Sequence, residues 1–150
     1  PGYNLRSTEI NAVYGISQIK NLDKNNQKKI WNFKFFLKNL DDEKYVTNFN
    51  INGSCNYAFI ILFNKKYRNL KFRENFESTL NKNNIEHRRG LSGGGDQTRQ
   101  PYLRYFKNKY RIYGKLKNTD IVHNYGFYIG NYPSLKKSKI LKICKLLNSI

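Results

Sequence analysis

The sequence predicts an α/β fold, a small sheet packed as a sandwich against helices. Three observations predict it. Residues 57–63, Tyr57-Ala58-Phe59-Ile60-Ile61-Leu62-Phe63, form a continuous apolar run of strand length. A helical pattern follows at 70–83, and Ile85-Glu86-His87-Arg88 then reads as a shorter strand. Strand, helix and strand in succession, with helical periodicity at both ends of the chain, suit a two-layer architecture.

Residues 7–40 read as helix. Ser7 is the expected N-cap, and Glu9 puts a negative charge in the first turn, where the helix dipole favours it. Ile10, Val13, Tyr14 and Ile16 give one apolar face, which Ile19 and Leu22 continue. Residues 23–29 are polar. Ile30, Phe33, Leu37 and Leu40 then recur at helical spacing, with Trp31 and Phe35 widening the face. The pattern is one long helix, or two joined near 23–26. Such a stripe is core packing rather than a cofactor site.

Tyr45-Val46-Thr47 reads as a short strand, and 50–56, with Gly53, as a loop. The run at 57–63 is expected to be buried on both faces, because its apolar character does not alternate. Residues 64–69 form a basic loop. In the helix at 70–83, Leu70, Phe72, Phe76 and Leu80 face inward. A short helix is expected at 121–124, capped from 117–120, and a strand at 125–130. Ser134 is expected to cap a last helix through 147. Leu135, Ile140, Leu141, Cys144 and Leu147 would face inward there, and Lys136, Lys137, Lys139, Lys142 and Lys145 outward.

The length, 150 residues, suits one domain, and 39% apolar with 15% aromatic content excludes a disordered chain. No apolar run approaches the roughly 20 residues of a membrane-spanning helix. No signal-peptide pattern stands at the start. The chain opens at Pro1 and contains no methionine, which reads as a fragment or processed piece. Cys55 and Cys144 match no metal spacing. They form either one disulfide or, more simply, two buried free thiols of a cytoplasmic protein. The net charge of +18 predicts attraction to polyanions. The lysines are scattered rather than blocked, which favours a solvated surface over a nucleic-acid groove. A small basic nucleic-acid-binding domain stays as the second reading; interleaved Tyr, Phe, Lys and Arg at 102–113 could stack bases.

Two loops have anion-binding chemistry. Gly2-Tyr3-Asn4-Leu5-Arg6 precedes a helix start, although as residues alone it reads better as an ordinary helix entry. Residues 88–102 hold Arg88, Arg89 and Arg99 around Gly93, Gly94 and Gly95. Three adjacent glycines permit close backbone approach, and flanking arginines suit an anion. An isolated glycine triplet would otherwise be a flexible linker. No Walker or dinucleotide-binding pattern is present.

Gly2-Tyr3-Asn4-Leu5-Arg6, Glu9-Ile10-Asn11-Ala12, Gly15, Gln18-Ile19 and Leu22-Asp23 resemble the GYNxRxxxxxA…G…QL…LD stretch of nucleotide-sugar aminotransferases. These are the DegT/DnrJ group of pyridoxal-phosphate (PLP) enzymes with the aspartate-aminotransferase-like fold. Arg88-Arg89-Gly90, Gly93-Gly94-Gly95, Arg99-Gln100-Pro101-Tyr102, Asn118-Thr119-Asp120 and Phe127-Tyr128-Ile129-Gly130-Asn131-Tyr132-Pro133 are similar to one branch of that group. The branch contains the 3-dehydratases of 4-keto-6-deoxy nucleotide sugars and the perosamine-type aminotransferases.

The resemblance implies the C-terminal small domain of that fold, a small, mostly antiparallel sheet packed by a long N-terminal helix and two further helices. Residues 1–40 would come from the end of the large domain and 41–150 would be the small domain. It implies a homodimer with PLP as the electron sink. Asn4, assisted by Arg6, would reach the cofactor phosphate of the partner subunit. His87, Arg88, Arg89, Gly94, Gly95, Gln100 and Tyr102 would line the nucleotide-sugar site, with the arginines pairing a diphosphate. The catalytic lysine of the aminotransferases, or histidine of the dehydratases, would lie before Pro1. This chain would then be inactive by itself. His123 is expected to be structural.

Overall fold

The computed structural model describes residues 7–90, 95–106 and 109–150. Helix α1 (Glu9–Lys20) starts at Thr8, whose extended backbone lets its hydroxyl accept the Asn11 N–H at 3.4 Å. Ser7, the expected cap, stands one residue too early to reach that group. Helix α2 (Leu22–Asn39) follows after a break at Asn21. The Asn21 N–H bonds to Gln18 O and its side-chain amide to Ser17 O, which closes α1 before the polar run begins. That run stays helical, with Asp23 in the first turn of α2.

Strands β1 (Ala58–Leu62), β2 (His87–Arg89) and β3 (Gly126–Gly130) form an antiparallel sheet in the order β1-β3-β2. The central strand is therefore the last to be made. Ile61 pairs with Phe127 and Phe59 with Ile129, while His87 and Arg89 pair with Ile129 and Phe127 from the other side. Side chains alternate across a strand. Phe59, Ile61, Phe127 and Ile129 thus face the helices, and Ile60, Tyr128 and Arg88 face away.

This corrects the expectation that 57–63 is buried on both faces: Tyr57 is 72% exposed and Ile60 41%. Most of the helical packing is on one side of the sheet; on the other, the Gly90 and Gly126 end is covered by Val122. The expected strand at 45–47 reduces to a single bridge, Tyr45 to Phe63.

Helix α3 (Leu70–Lys82) is capped by Asn69, which accepts the Phe72 N–H at 2.9 Å. Phe76 and Leu80 are buried and Phe72 partly so, but Leu70, in the first turn, is exposed. Helix α4 (Lys117–Tyr125) takes in the residues expected to cap it. Helix α5 (Lys137–Asn148) is entered from Lys136 rather than Ser134. Its residues Ile140, Cys144 and Leu147 are buried, and Lys136, Lys137, Lys139, Lys142 and Lys145 lie outward as expected.

The core lies between the sheet and helices α2, α3 and α5. Phe36 of α2 stacks on Phe59 of β1, with ring centroids 4.3 Å apart. Phe63 meets Phe76 and Phe127 at 5.0 and 5.4 Å. Tyr45 is buried, and its hydroxyl donates to Leu147 O at 2.7 Å. A buried amide pair ties α2 to the end of β3. Asn32 donates to Asn131 Oδ1 at 3.3 Å and to Tyr132 O at 3.1 Å, while Asn131 donates to Lys29 O and Asn56 O. Both cysteines are free thiols, Cys144 buried and Cys55 half-buried.

Two outcomes follow. Phe36→Ala removes the ring that joins α2 to the sheet and should lower the unfolding free energy by ~3–5 kcal/mol in urea titration. Burial pushes the Cys144 thiol up to about 12, so alkylation of the folded chain at neutral pH should label Cys55 and spare Cys144 until denaturant is added. Peptide mass spectrometry reads the difference.

Candidate functional site

The uncovered face of the sheet is the natural place for a site, because nothing in the core needs it. Ile60, Tyr128 and Arg88 lie in one row across the three strands. Tyr57, just before β1, joins them, with its ring edge-on to Tyr128 at 6.0 Å. The Tyr57 phenol is held above its usual value, first by a hydrogen bond with Tyr128 and then by desolvation, while the charge of Arg88 acts the other way. A hollow of about 340 Å³ on this face is lined by Tyr57, Ile60, Tyr128, Val122, Gly90 and Gly95, among others.

The sequence-expected residues divide between the two faces. Arg88 is on the open face, largely exposed, with Glu86 3.8 Å away. His87 and Arg89 point to the helix side. His87 donates from Nδ1 to Ile85 O at 3.1 Å. Arg89 Nε lies 3.7 Å from Glu77 of α3 and has no hydrogen-bond acceptor. Arg88 does not line the hollow beside Gly90 and Gly95; together with His87, Tyr57 and Tyr128 it lines a second hollow of about 680 Å³, and Arg89 lines neither. Asn4, Arg6 and Gly94 lie outside the described residues.

Gly95 borders the hollow. Its φ is +72°, and a Cβ there would stand 2.5 Å from Gly90 O and 2.8 Å from His123 Nδ1. Gly90 is equally constrained, since a Cβ would fall 2.0 Å from Val122 O. Only glycine at both positions lets the loop close onto α4. Beyond it, Gln100 N–H bonds to Gln97 O at 3.0 Å, and the Tyr102 hydroxyl donates to Gln97 Oε1 at 2.7 Å. Gln100, with extended backbone, thus joins two short helical turns, Gln97–Arg99 and Pro101–Phe106, and Tyr102 belongs to the second.

That segment is held around Asp96, which the sequence reading did not single out. Asp96 is buried and accepts from Thr98 N and Thr98 Oγ1, at 2.9 and 2.6 Å, and from Arg99 Nε at 3.1 Å. Arg99 also bonds Asp120 at the start of α4. The Asp96 N–H donates to His123 Nδ1 at 3.2 Å. The Asp-x-Thr spacing is an Asx-turn signal legible in the sequence; the partnership with Asp120 and His123, more than 20 residues away, is not. Tyr57 escapes a sequence reading because its run is uniformly apolar and reads as buried on both faces; Tyr128 stands only within a family motif. Among the described residues no group of three His, Cys, Asp or Glu gathers to hold a metal.

Hydrogen bonds from Thr98, and then from Arg99, hold the Asp96 carboxyl below its usual value. A depressed folded value means that its stabilising contribution is complete above the ordinary aspartate range. It is lost as pH falls through the folded value. Acid unfolding should therefore show a component that Asp96→Ala removes, measured as the difference in stability between about pH 6 and pH 3.

The comparisons define the setting. The chain is 28% identical over 148 residues to the lipopolysaccharide biosynthesis protein RfbH of Salmonella typhimurium, covering 89% of this chain and 30% of that protein. It is 26% identical over 132 residues to the GDP-4-keto-6-deoxy-D-mannose 3-dehydratase of Escherichia coli O55:H7, covering 88% and 33%. The chain thus spans about a third of the length of these relatives. The structure of an E. coli GDP-4-keto-6-deoxy-D-mannose 3-dehydratase with bound hydrated PLP superposes with a TM-score of 0.84 at 24% identity, over 98% of this chain and 37% of that one. That likeness establishes the fold, including the antiparallel sheet with helices on one side. The DegT/DnrJ/EryC1/StrS aminotransferase family matches residues 1–148, and the chain belongs to it.

Proposed function

We propose that this chain is the C-terminal part of a PLP-dependent enzyme acting on nucleotide-linked 4-keto-6-deoxy sugars. The reaction is transamination or C3 dehydration, in deoxysugar and cell-surface polysaccharide biosynthesis. The observation that carries the proposal is the family match along 1–148, on a chain whose sheet leaves one face open beside the glycine loop. PLP supplies the electron sink when bound. Its phosphate would be met by Asn4, with Arg6, from the partner subunit of a homodimer.

The rest of this chain's part is to bind and to wall. Arg88 presents a guanidinium that can pair a diphosphate in a bidentate way. Tyr57 and Tyr128 offer rings and hydroxyls beside it. Gly94 and Gly95 allow the sugar nucleotide to approach the backbone, and Gln100 and Tyr102 close the loop behind. His87 and Arg89 support the wall from the helix side. The catalytic lysine or histidine belongs to another part of the enzyme, so this chain alone would not turn over substrate.

Residues 1–40 would come from the end of the large domain, and 41–150 would be the small domain. Helix α1 has no buried residue, whereas α2 gives Phe33, Phe36 and Leu37 to the core. The surroundings proposed are cytoplasmic; among the described residues no helix is long and apolar enough to cross a membrane. Nucleic-acid binding has only the charge in its favour.

The test uses the longer polypeptide that carries this segment, supplied with PLP, glutamate and GDP-4-keto-6-deoxymannose. Formation of a 4-amino or a 3-deoxy sugar is expected, and this chain alone should yield neither. Arg88→Ala should raise KM about 10- to 100-fold with a smaller effect on kcat, the weight of one lost charge-assisted pair. No product with this or any other nucleoside-diphosphate keto sugar would sink the proposal.

A further inference from the structure

We propose that neutral His123 is a positioning residue that seats Gly95 and Asp96 against α4, and that its protonation releases them. Its link to substrate rests on the function proposed above. The Asp96 N–H donates to His123 Nδ1 at 3.2 Å. A backbone N–H can only donate, so Nδ1 offers its lone pair and the ring carries its proton on Nε2. The other histidine is fixed the opposite way. His87 Nδ1 lies 3.1 Å from Ile85 O, and a carbonyl can only accept, so that ring carries its proton on Nδ1. The fit at His123 is close: a Cβ on Gly95 would stand 2.8 Å from Nδ1. Asp96 is buried, so its N–H has little access to water as a replacement partner.

Histidine is the side chain that changes charge between about pH 5 and 8. A proton on Nδ1 sets one N–H against another across this contact. The bond is therefore complete while the ring is neutral and is lost as the ring gains a proton on acidification. The charges around the ring leave that outcome in place. Asp96 is occupied by Thr98 and Arg99, and Arg99 also bonds Asp120, one turn earlier in α4. Strands β2 and β3, which α4 packs against, bring Arg88 beside Glu86, Arg89 beside Glu77, and Tyr128. Among the described residues no carboxylate forms an ion pair with the imidazole. Gly95 lines the hollow of about 340 Å³ with Tyr57 and Tyr128, so the seat at His123 fixes part of the wall that a sugar nucleotide would meet.

The first measurement uses this chain labelled with nitrogen-15. At about pH 7.5 the ring spectra should show His123 protonated on Nε2 and His87 on Nδ1. Between about pH 7.5 and 5.5 the Asp96 amide should lose about tenfold in exchange protection, the weight of one hydrogen bond. Gly90, whose N–H bonds Gly126 O within the sheet, should keep its protection. The Asp96 carboxyl is held below its usual value and stays ionised at both pH values, so the loss belongs to the imidazole. His123→Asn offers an amide oxygen that does not titrate, and Asp96 should then be protected equally at both pH values. His123→Leu offers no acceptor, and protection should be low at both. In the longer polypeptide, acidification should raise KM for GDP-4-keto-6-deoxymannose about tenfold more in the parent than in His123→Asn. The proposal is overturned if His123 carries its proton on Nδ1 at pH 7.5, if Asp96 and Gly90 lose protection together, or if KM rises equally in both enzymes. Spectra and exchange as expected without any product would uphold the seat at His123 and sink the function proposed above.

Discussion

The stack of Phe36 on Phe59 joins the two layers of this molecule, and much else depends on that contact. It fixes which face of the sheet meets α2. Phe63, Phe76 and Phe127 then complete an aromatic core on that side. The buried pair Asn32 and Asn131 sets the position of α2 along the sheet, because each amide reaches backbone carbonyls that no other register would present. With the core helices on one side, the other face stays open except where Val122 of α4 covers Gly90 and Gly126. The site is a consequence of that one-sided construction.

On the open face, position matters more than residue type. Three consecutive residues of β2 carry polar or cationic side chains, and the strand sends them to different sides. Arg88 turns to the face of Tyr57 and Tyr128; Arg89 is directed to Glu77 and His87 to Ile85 O. Gly90 and Gly95 fit closely against Val122 and His123 of α4, and Asp96 collects Thr98 and Arg99 around one carboxylate. Arg99 links that carboxylate to Asp120 at the start of α4.

The two exposed features of the chain follow from the same layout. Helix α1 keeps Ile10, Val13 and Ile19 in solvent, and the chain covers about a third of its relatives' length. The lysines of α5 are outward because the opposite side of that helix, with Ile140, Cys144 and Leu147, is committed to the core.

What the sequence alone determined was local: four or five helical stretches, the strands at 57–63 and 125–130, and the family motifs along nearly the whole chain. These are carried by periodicity, caps and short spacings, which act between near neighbours. The tertiary structure decided which apolar residues are buried, and it left Tyr57, Ile60 and Leu70 outside although their residue types suit a core. It separated Arg88 from its neighbours and joined Asp96 to Asp120 and His123. The reason is physical. Burial and side-chain partnership depend on which face another element covers, and pairings across 20 to 100 residues leave no trace in local composition.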